Sequence, residues 1–374
     1  MRIVSAARGA VVTTALLLAL SACAHPIPAH SPGHPTASGS HRATASPTAG
    51  ASALTAPRSA IPATCVQLLP TATAVAAYPA ASAIALRESE STPPQDVFQV
   101  SARQAGGLHC LWGGSERQDN GYVDAITLDV ISDAANDYHA DVTPDTGDEL
   151  NTFGTASDVS CQGDPQFFCR GQVLVGTTWF ELDYNSLGGE GEPASGSLQR
   201  FHSLLAGVVS KVQAAGANRS LWTPPAGWNG AALCTDAALA RVRTATGHAD
   251  LVQTDYSMEG PATASSAGLA RVGFDECGWA RQASTGLTLF GVQYVPGGAW
   301  AIAQELAQPP SFYYGTLAPV TIAGASSALA LCNEAACQAD LAVAGTWISV
   351  RADGITTVAE LTHDIAALLA ATPH

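Results

Sequence analysis

The chain has 374 residues and a formal net charge of −15, from 16 Lys+Arg against 31 Asp+Glu. Arg2, Arg8, Arg42 and Arg58 all precede residue 59, while every acid follows residue 87, which leaves the region past residue 58 near −19. Such a surface excludes nucleic acid as a partner, because binding it relies on neutralising phosphates with basic side chains, and it repels an anionic lipid face.

The first residues read MRIVSAARGAVVTTALLLALSACAH, with Arg2 and Arg8 ahead of an apolar run from Ala10 to Leu20. That run falls short of the roughly 20 apolar residues that span a bilayer, and its flanks fit a secretory signal. It ends on Leu20-Ser21-Ala22-Cys23, which resembles the lipobox of bacterial lipoproteins. The resemblance implies a signal peptide over 1–23, cleaved ahead of Cys23, with a palmitate-bearing diacylglycerol on the Cys23 thiol. Residues 24–58 are dominated by Pro, Ala, Ser, Thr and Gly. A stretch with so little to bury cannot offset its ordering entropy, so a disordered tether is expected. Its r.m.s. span would be about 30–35 Å. His25, His30, His34 and His41 lie in it at irregular spacing, which presets no metal geometry.

Eight cysteines remain after Cys23: 65, 110, 161, 169, 234, 277, 332 and 337. An even number in an exported chain reads as a disulfide set. They form two groups of four, with first-to-second spacings of 45 and 43, second-to-third spacings of 51 and 55, and final spacings of 8 and 5. HCLWGG at 109–114 and ECGWAR at 276–281 repeat a Cys-x-Trp signature, Cys110 with Trp112 and Cys277 with Trp279. Trp179 follows Cys169 by ten residues and Trp347 follows Cys337 by ten. These offsets predict two tandem copies, over 59–218 and 229–374. NRSLWTPPAGWNG lies at the joint, with a linker over 219–228. Trp222 and Trp228 in that joint are expected to pack the copies together.

Within each copy a short helix is expected just after the first cysteine, then the strand bearing Cys-x-Trp. An alternating strand follows, YVDAITLDVI or LTLFGVQYV, and then a helical stretch, SDAANDYHAD in one copy and AWAIAQELA in the other. Two strands straddle the last cysteine pair. An amphipathic helix closes each copy, with Leu198, Phe201, Leu205, Val208 and Val212 on one face in the first and Val358, Leu361, Ile365 and Leu368 in the second. The fold class is α+β, two copies of a mostly antiparallel sheet with helices packed on one face. Of the three connectivities that four cysteines allow, this order favours Cys65–Cys110 with Cys161–Cys169, and Cys234–Cys277 with Cys332–Cys337. Side chains at i and i+2 of a strand share a face, so Trp112 and Trp279 should each cover the disulfide of their own copy.

The lipobox, the Ser/Thr/Pro-rich tether, the helix-borne cysteine and the strand-borne Cys-x-Trp together resemble a family of actinobacterial cell-envelope lipoproteins of unknown function. More distantly they are similar to the disulfide-bearing extracellular sensor domains of mycobacterial serine/threonine kinases. The chain departs from that pattern in carrying two copies and a second cysteine pair in each. What the resemblance implies is location on the extracytoplasmic face of the cell membrane, through the lipid, and style of fold.

No G-x-S-x-G, H-E-x-x-H, P-loop or G-x-G-x-x-G pattern occurs. His109 adjoins Cys110, which is expected to be oxidised and so no nucleophile, and the second copy has Glu276 in its place. His202 and His363 fall on the closing helices, at expected surface positions. Asp141, Asp145, Asp148 and Glu149 crowd one acidic loop without the spacing of an EF-hand, and a solvated loop is expected there. No catalytic residue, cofactor or metal is assigned. The expected function is a binding or sensing module of the cell envelope, taking a small ligand or an envelope protein, with the groove between copies as its site. The alternative is a structural or adaptor lipoprotein, and a hydrolase stands behind both. Cys23→Ala is expected to abolish metabolic lipid labelling and to release the protein from membranes; retention of the variant in the membrane fraction would refute lipidation.

Overall fold

The structure, a computed structural model, describes residues 55–77, 85–88, 96–113, 125–139, 149–163, 167–186, 194–216, 218–223, 233–254, 263–281, 288–309, 311–312 and 315–372. Cys23, the signal, most of the tether, Asp141, Asp145, Asp148 and Trp228 lie outside the described residues. The first half contains α1 (Cys65–Leu68), α2 (Thr71–Ala77), β1 (Ala85–Glu88), α3 (Val97–Gln104), β2 (Leu108–Gly113), β3 (Ala125–Ile131), β4 (Glu149–Leu150), β5 (Ala156–Gly163), β6 (Phe167–Val175), β7 (Thr178–Ser186) and α4 (Ala194–Ala215). The second contains α5 (Asp236–Thr246), β8 (Leu251–Thr254), α6 (Ala264–Arg271), β9 (Asp275–Arg281), β10 (Thr288–Val295), α7 (Trp300–Ala307), β11 (Ser311–Phe312), β12 (Gly315–Thr316), β13 (Ala318–Val320), β14 (Ser327–Cys332), β15 (Ala336–Val343), β16 (Thr346–Asp353) and α8 (Val358–Ala370).

Each half builds one antiparallel sheet of seven described strands. The order is β1-β2-β3-β7-β6-β5-β4 in the first and β8-β9-β10-β16-β15-β14-β13 in the second. These are one topology used twice, and the α+β class with two tandem copies holds. The second half also contains the small β11–β12 hairpin.

Strand alternation gives each sheet two distinct faces. On the first face of the first sheet, Cys110, Trp112, Leu128, Val173, Phe180 and Leu182 join Phe201, Leu205 and Val208 of α4 in one core. The second sheet repeats this with Cys277, Trp279, Val292, Leu341 and Val350 against Leu239 of α5 and Leu361 and Ile365 of α8. Thr357 caps α8, its side chain accepting from the Glu360 N–H. All four disulfides lie on these first faces. Cys65–Cys110 and Cys234–Cys277 tie the segment before or within the first helix to the Cys-x-Trp strand, with Cα atoms 5.8 and 5.5 Å apart. Cys161–Cys169 and Cys332–Cys337 cross directly paired positions of neighbouring strands, Cα 4.1 and 4.0 Å apart. Trp112 and Trp279 are buried in the same clusters as those bridges.

Helices cover the second faces as well: α7 from its own half, α6 from the opposite half, and α3 against both sheets. Helix α6 packs on β3 and β7, while α3 packs on β10. Each begins on a side-chain cap, Asp96 accepting from Gln99 N–H and Thr263 from Ser266 N–H. A glycine at positive φ follows each helix, Gly106 at 78° and Gly273 at 69°. The exchange is reciprocal to the atom. The last residue of α3, Gln104, donates to the Pro296 carbonyl just past β10, and the last residue of α6, Arg271, donates to the Ser132 carbonyl just past β3 at 2.6 Å. Trp222 of the joint packs against the cluster shared by the halves.

Among the described residues, one expected element is absent. Residues 132–139 form turns where a helix is predicted from SDAANDYHAD. Asp133 sits at φ 51°, and Ala134 N–H bonds to Thr177 O in the β6–β7 hairpin, which pins the segment before a helix can propagate. Asp and Asn side chains also compete for their own backbone and disfavour helix interiors. No described helix is long and apolar enough to cross a membrane. Replacing Cys65 and Cys110 by alanine is expected to cost about 4 kcal/mol in denaturant titration, and the Cys332/Cys337 pair about 2 kcal/mol, following the logarithm of loop length. Equal losses would contradict that account.

Candidate functional site

On the second face of the first sheet, five polar residues stand side by side across five strands. His109 pairs with Asp129, Asp129 with Glu181, Glu181 with Gln172, and Gln172 with Asp158. All five are buried. The row in the second sheet reads Glu276, Gln293, Ser349, Asp340 and Leu329. Glu276 thus occupies the place of His109, as the sequence alignment of the copies predicts, and it accepts from Gln293 at 3.1 Å.

Burying such a row is costly unless its groups are paired or neutralised. His109 Nδ1 lies 2.6 Å from Asp129 Oδ1, and the Phe98 ring stacks at 6.3 Å. Burial works against the imidazolium, yet the Asp129 charge and hydrogen bond outweigh it and lift His109 to about 9. Glu181 receives the Ala264 N–H of α6 at 3.0 Å and Arg170 Nε at 3.1 Å. Burial nevertheless raises its carboxyl well above the usual range, with Asp183 and Asp129 adding to the effect. Asp183, 3.1 Å from Arg170 Nε, is pushed up to about 6, chiefly by burial. In the second sheet burial lifts Asp340 to about 6, with the neighbouring Ser349 and Gln338 side chains opposing the rise. Burial and the neighbouring Asp340 lift Glu305 of α7 well above its ordinary value.

Where α6 meets the 132–139 turn, a cavity of about 610 Å³ opens between the halves. Asn136, Asp137, His139 and Trp179 line it from the first half, and Thr263, Ser266, Ala267, Ala270 and Arg271 from the second. Trp179 is fully buried and forms part of its wall, with Tyr138 edge-on at 5.4 Å. Arg271 is held by the Ser132 and Asp133 carbonyls and by Asp137 Oδ2 at 3.0 Å.

The expected site residues divide by face. The cysteines, Trp112 and Trp279 belong to the disulfide layer, while Trp179 and Trp347 lie on the second faces between the halves. His202 is half-buried on α4, 3.4 Å from Glu149, so that acid of the predicted loop is engaged; His363 is exposed. No group of three or more metal-ligating side chains gathers among the described residues. The ladder residues Asp129, Glu181, Gln172, Asp158 and Asp340, and Glu305 above them, escape sequence reading. The signal was their alternation with apolar positions, which reads as a solvent face in a chain whose second faces are in fact covered.

No protein-family model matches the chain, and no curated protein matches it. Among solved structures, the di-domain ARO/CYC StfQ from the steffimycin biosynthetic pathway aligns over 78% of this chain and 98% of its own at 9% identity, with a TM-score of 0.14. A likeness of that size carries no argument about fold or function.

The raised groups act on stability with one sign. Each holds its proton more tightly folded than unfolded, so its contribution is full below the unfolded pKa and is lost as pH rises through the folded one. The window runs from 3.8 to about 6 for Asp183 and Asp340, and from 6.5 to about 9 for His109. The melting temperature should therefore fall from mild acid to alkaline pH. Asp129→Asn should cost about 3 kcal/mol near pH 6, as breaking a buried pair does, and should flatten the upper part of that profile. Calorimetry showing Tm rising between pH 5 and 8 would refute this assignment.

Proposed function

We propose that the protein is a lipid-anchored binding module on the extracytoplasmic face of the cell membrane, with the cavity between its halves as the ligand site. The four disulfides fit an oxidising compartment, and the lipobox at Leu20–Cys23 supports the anchor.

The observation that carries the reading is an asymmetry between otherwise matching halves. In the second half, α7 follows β10 and fills the second face of its sheet with Trp300, Ala301 and Ile302. In the first half the described residues after β3, 132–139, form turns, and the cavity lies beside them. The volume falls within the range of about 300–1,000 Å³ of small-molecule sites. Its walls mix an aromatic face with exposed polar groups at the mouth, Asn136, Asp137 and His139. Among the described residues, the large apolar side chains that reach solvent, Val66, Leu150, Leu221 and Leu306, lie apart in the sequence. That arrangement favours the cavity over an apolar docking patch.

Ala270 lines the cavity and is exposed on α6, so a larger side chain there fills space without entering a core. Protein recovered from its native envelope should carry a bound small molecule in native mass spectrometry. Ala270→Trp, with an unchanged melting temperature, should lose it. The same adduct on both proteins, or none on the wild type, would refute the reading.

A further inference from the structure

The last residues of the tether are seated between the halves. Residues 55–61 read TAPRSAI and are followed by Pro62. Pro57 and Pro62 preset their own φ and favour an extended backbone at the residue before them, so this segment has less entropy to lose on ordering. Pro57, Ser59, Ala60 and Ile61 are buried, while Arg58 between them is exposed.

Three pieces of the molecule meet on this segment. The first is the end of α3. Arg103 Nε donates to the Pro57 carbonyl at 3.0 Å, and the Gly106 carbonyl accepts from Ala60 N–H at 2.7 Å and from the Ser59 hydroxyl at 3.3 Å. The second is α7 of the other half. The same Arg103 donates through Nη1 to Gln304 Oε1 at 3.0 Å and lies 5.0 Å over the Trp300 ring. Ala56 packs against the cluster that contains Trp300 and Trp347. The third is the joint between the halves, where Arg219 N–H donates to the Ala60 carbonyl at 2.7 Å. A Cβ on Gly106 would stand 2.7 Å from Leu221 of the joint and 3.1 Å from Ala60. The glycine that ends α3 thus also lets the joint and the segment close on it.

The far end of the segment is fixed differently. Ile61 lies in the core of the first disulfide face, and four residues on Cys65 is bonded to Cys110 of β2. Noncovalent contacts hold 56–60 to the junction, whereas a covalent bond holds residue 65 to the sheet.

From these placements we infer that residues 56–60 are a strap across the junction of the halves, released by load arriving along the tether and kept from unravelling further by Cys65–Cys110. The strap is held by single hydrogen bonds and small side chains, and a pull along the chain loads them in turn from Ala56 inward. Its release uncovers the flank of the Trp300 cluster and takes the Pro57 carbonyl from Arg103, so α7 and the joint loosen. The first sheet does not loosen, because its bridge carries the load. The source of the load rests on the lipid anchor proposed above; the release itself does not.

Optical tweezers on the full chain test the release, with handles on azide-bearing residues in place of Ser40 and of exposed Lys211 in α4. The first event should be reversible, precede any larger one, and extend the chain by at most about 30 Å, the reach of residues 56–64. Cys65→Ala combined with Cys110→Ala should carry that event past this length. Hydrogen exchange tests the loosening. Ala60 is 1% exposed, so Ala60→Asp sets a charge where it is not tolerated and evicts the strap. The Arg219 amide and the amides at the end of α7 should then exchange at least about tenfold faster, with those of β6 and β7 unchanged. Arg103→Met, which keeps a stem over Trp300, should move the α7 amides the same way. A pull with no separate short event, unchanged α7 amides in both variants, or equal acceleration in β6 and β7 overturns the inference. Failure of the anchor is seen separately, in the membrane fractionation of Cys23→Ala.

Discussion

The exchange of helices between halves is the contact on which the rest of the structure depends. Each sheet has two faces that need cover, and its own half supplies a complete helical layer only for the disulfide face. The other face of the first sheet carries Ile131, Leu174 and Trp179 beside a row of acids, and these are covered by α6 from the second half. The second sheet's Val295, Leu329 and Trp347 are covered by α7 and by α3 from the first. A single copy would leave apolar and ionisable groups together in water on its second face. Two copies bury both faces by trading the one helix that stands before the Cys-x-Trp strand.

Trading helices puts polar chemistry into the interior. The α6 N-terminus delivers the Ala264 N–H to Glu181, and Gln104 and Arg271 satisfy carbonyls at the ends of β10 and β3. What the incoming helices do not satisfy leaves carboxyl groups that burial pushes above their ordinary range, at Glu181, Asp183, Asp340 and Glu305, or is met by pairing, at His109 with Asp129. The cavity beside the 132–139 turns lies between the halves, away from the cores on the disulfide faces.

Much of the disulfide layer was legible in the sequence. Matched cysteine spacings and the two Cys-x-Trp strands predicted the repeat, the apolar faces of 198–212 and 358–368 predicted the closing helices, and the order of elements favoured the pairing of the bridges. Those features are local in sequence or periodic along one element. Helices α3 and α6 were missed because each lies between sheets, so Gln99, Ser101, Arg103 and Gln104 are buried along with Val97 and Val100, and no simple apolar stripe appears. Their caps and terminal glycines, Asp96 with Gly106 and Thr263 with Gly273, were the signals available. The ladder was hidden for a different reason. Its members come from five separate strands, and alternation reports that a strand has two environments without reporting that both are buried.

The two faces are also fastened by different forces. The four disulfides all lie on the first faces, where they join each half to itself and where Trp112 and Trp279 are buried beside them. The second faces have no covalent tie among the described residues. They are held by caps, carbonyl contacts and the packing of Trp179, Trp300 and Trp347 between halves. Local opening samples the less tightly fastened regions of a fold first. The cavity therefore sits at the junction expected to open first, while each sheet is locked by sulfur on its other side.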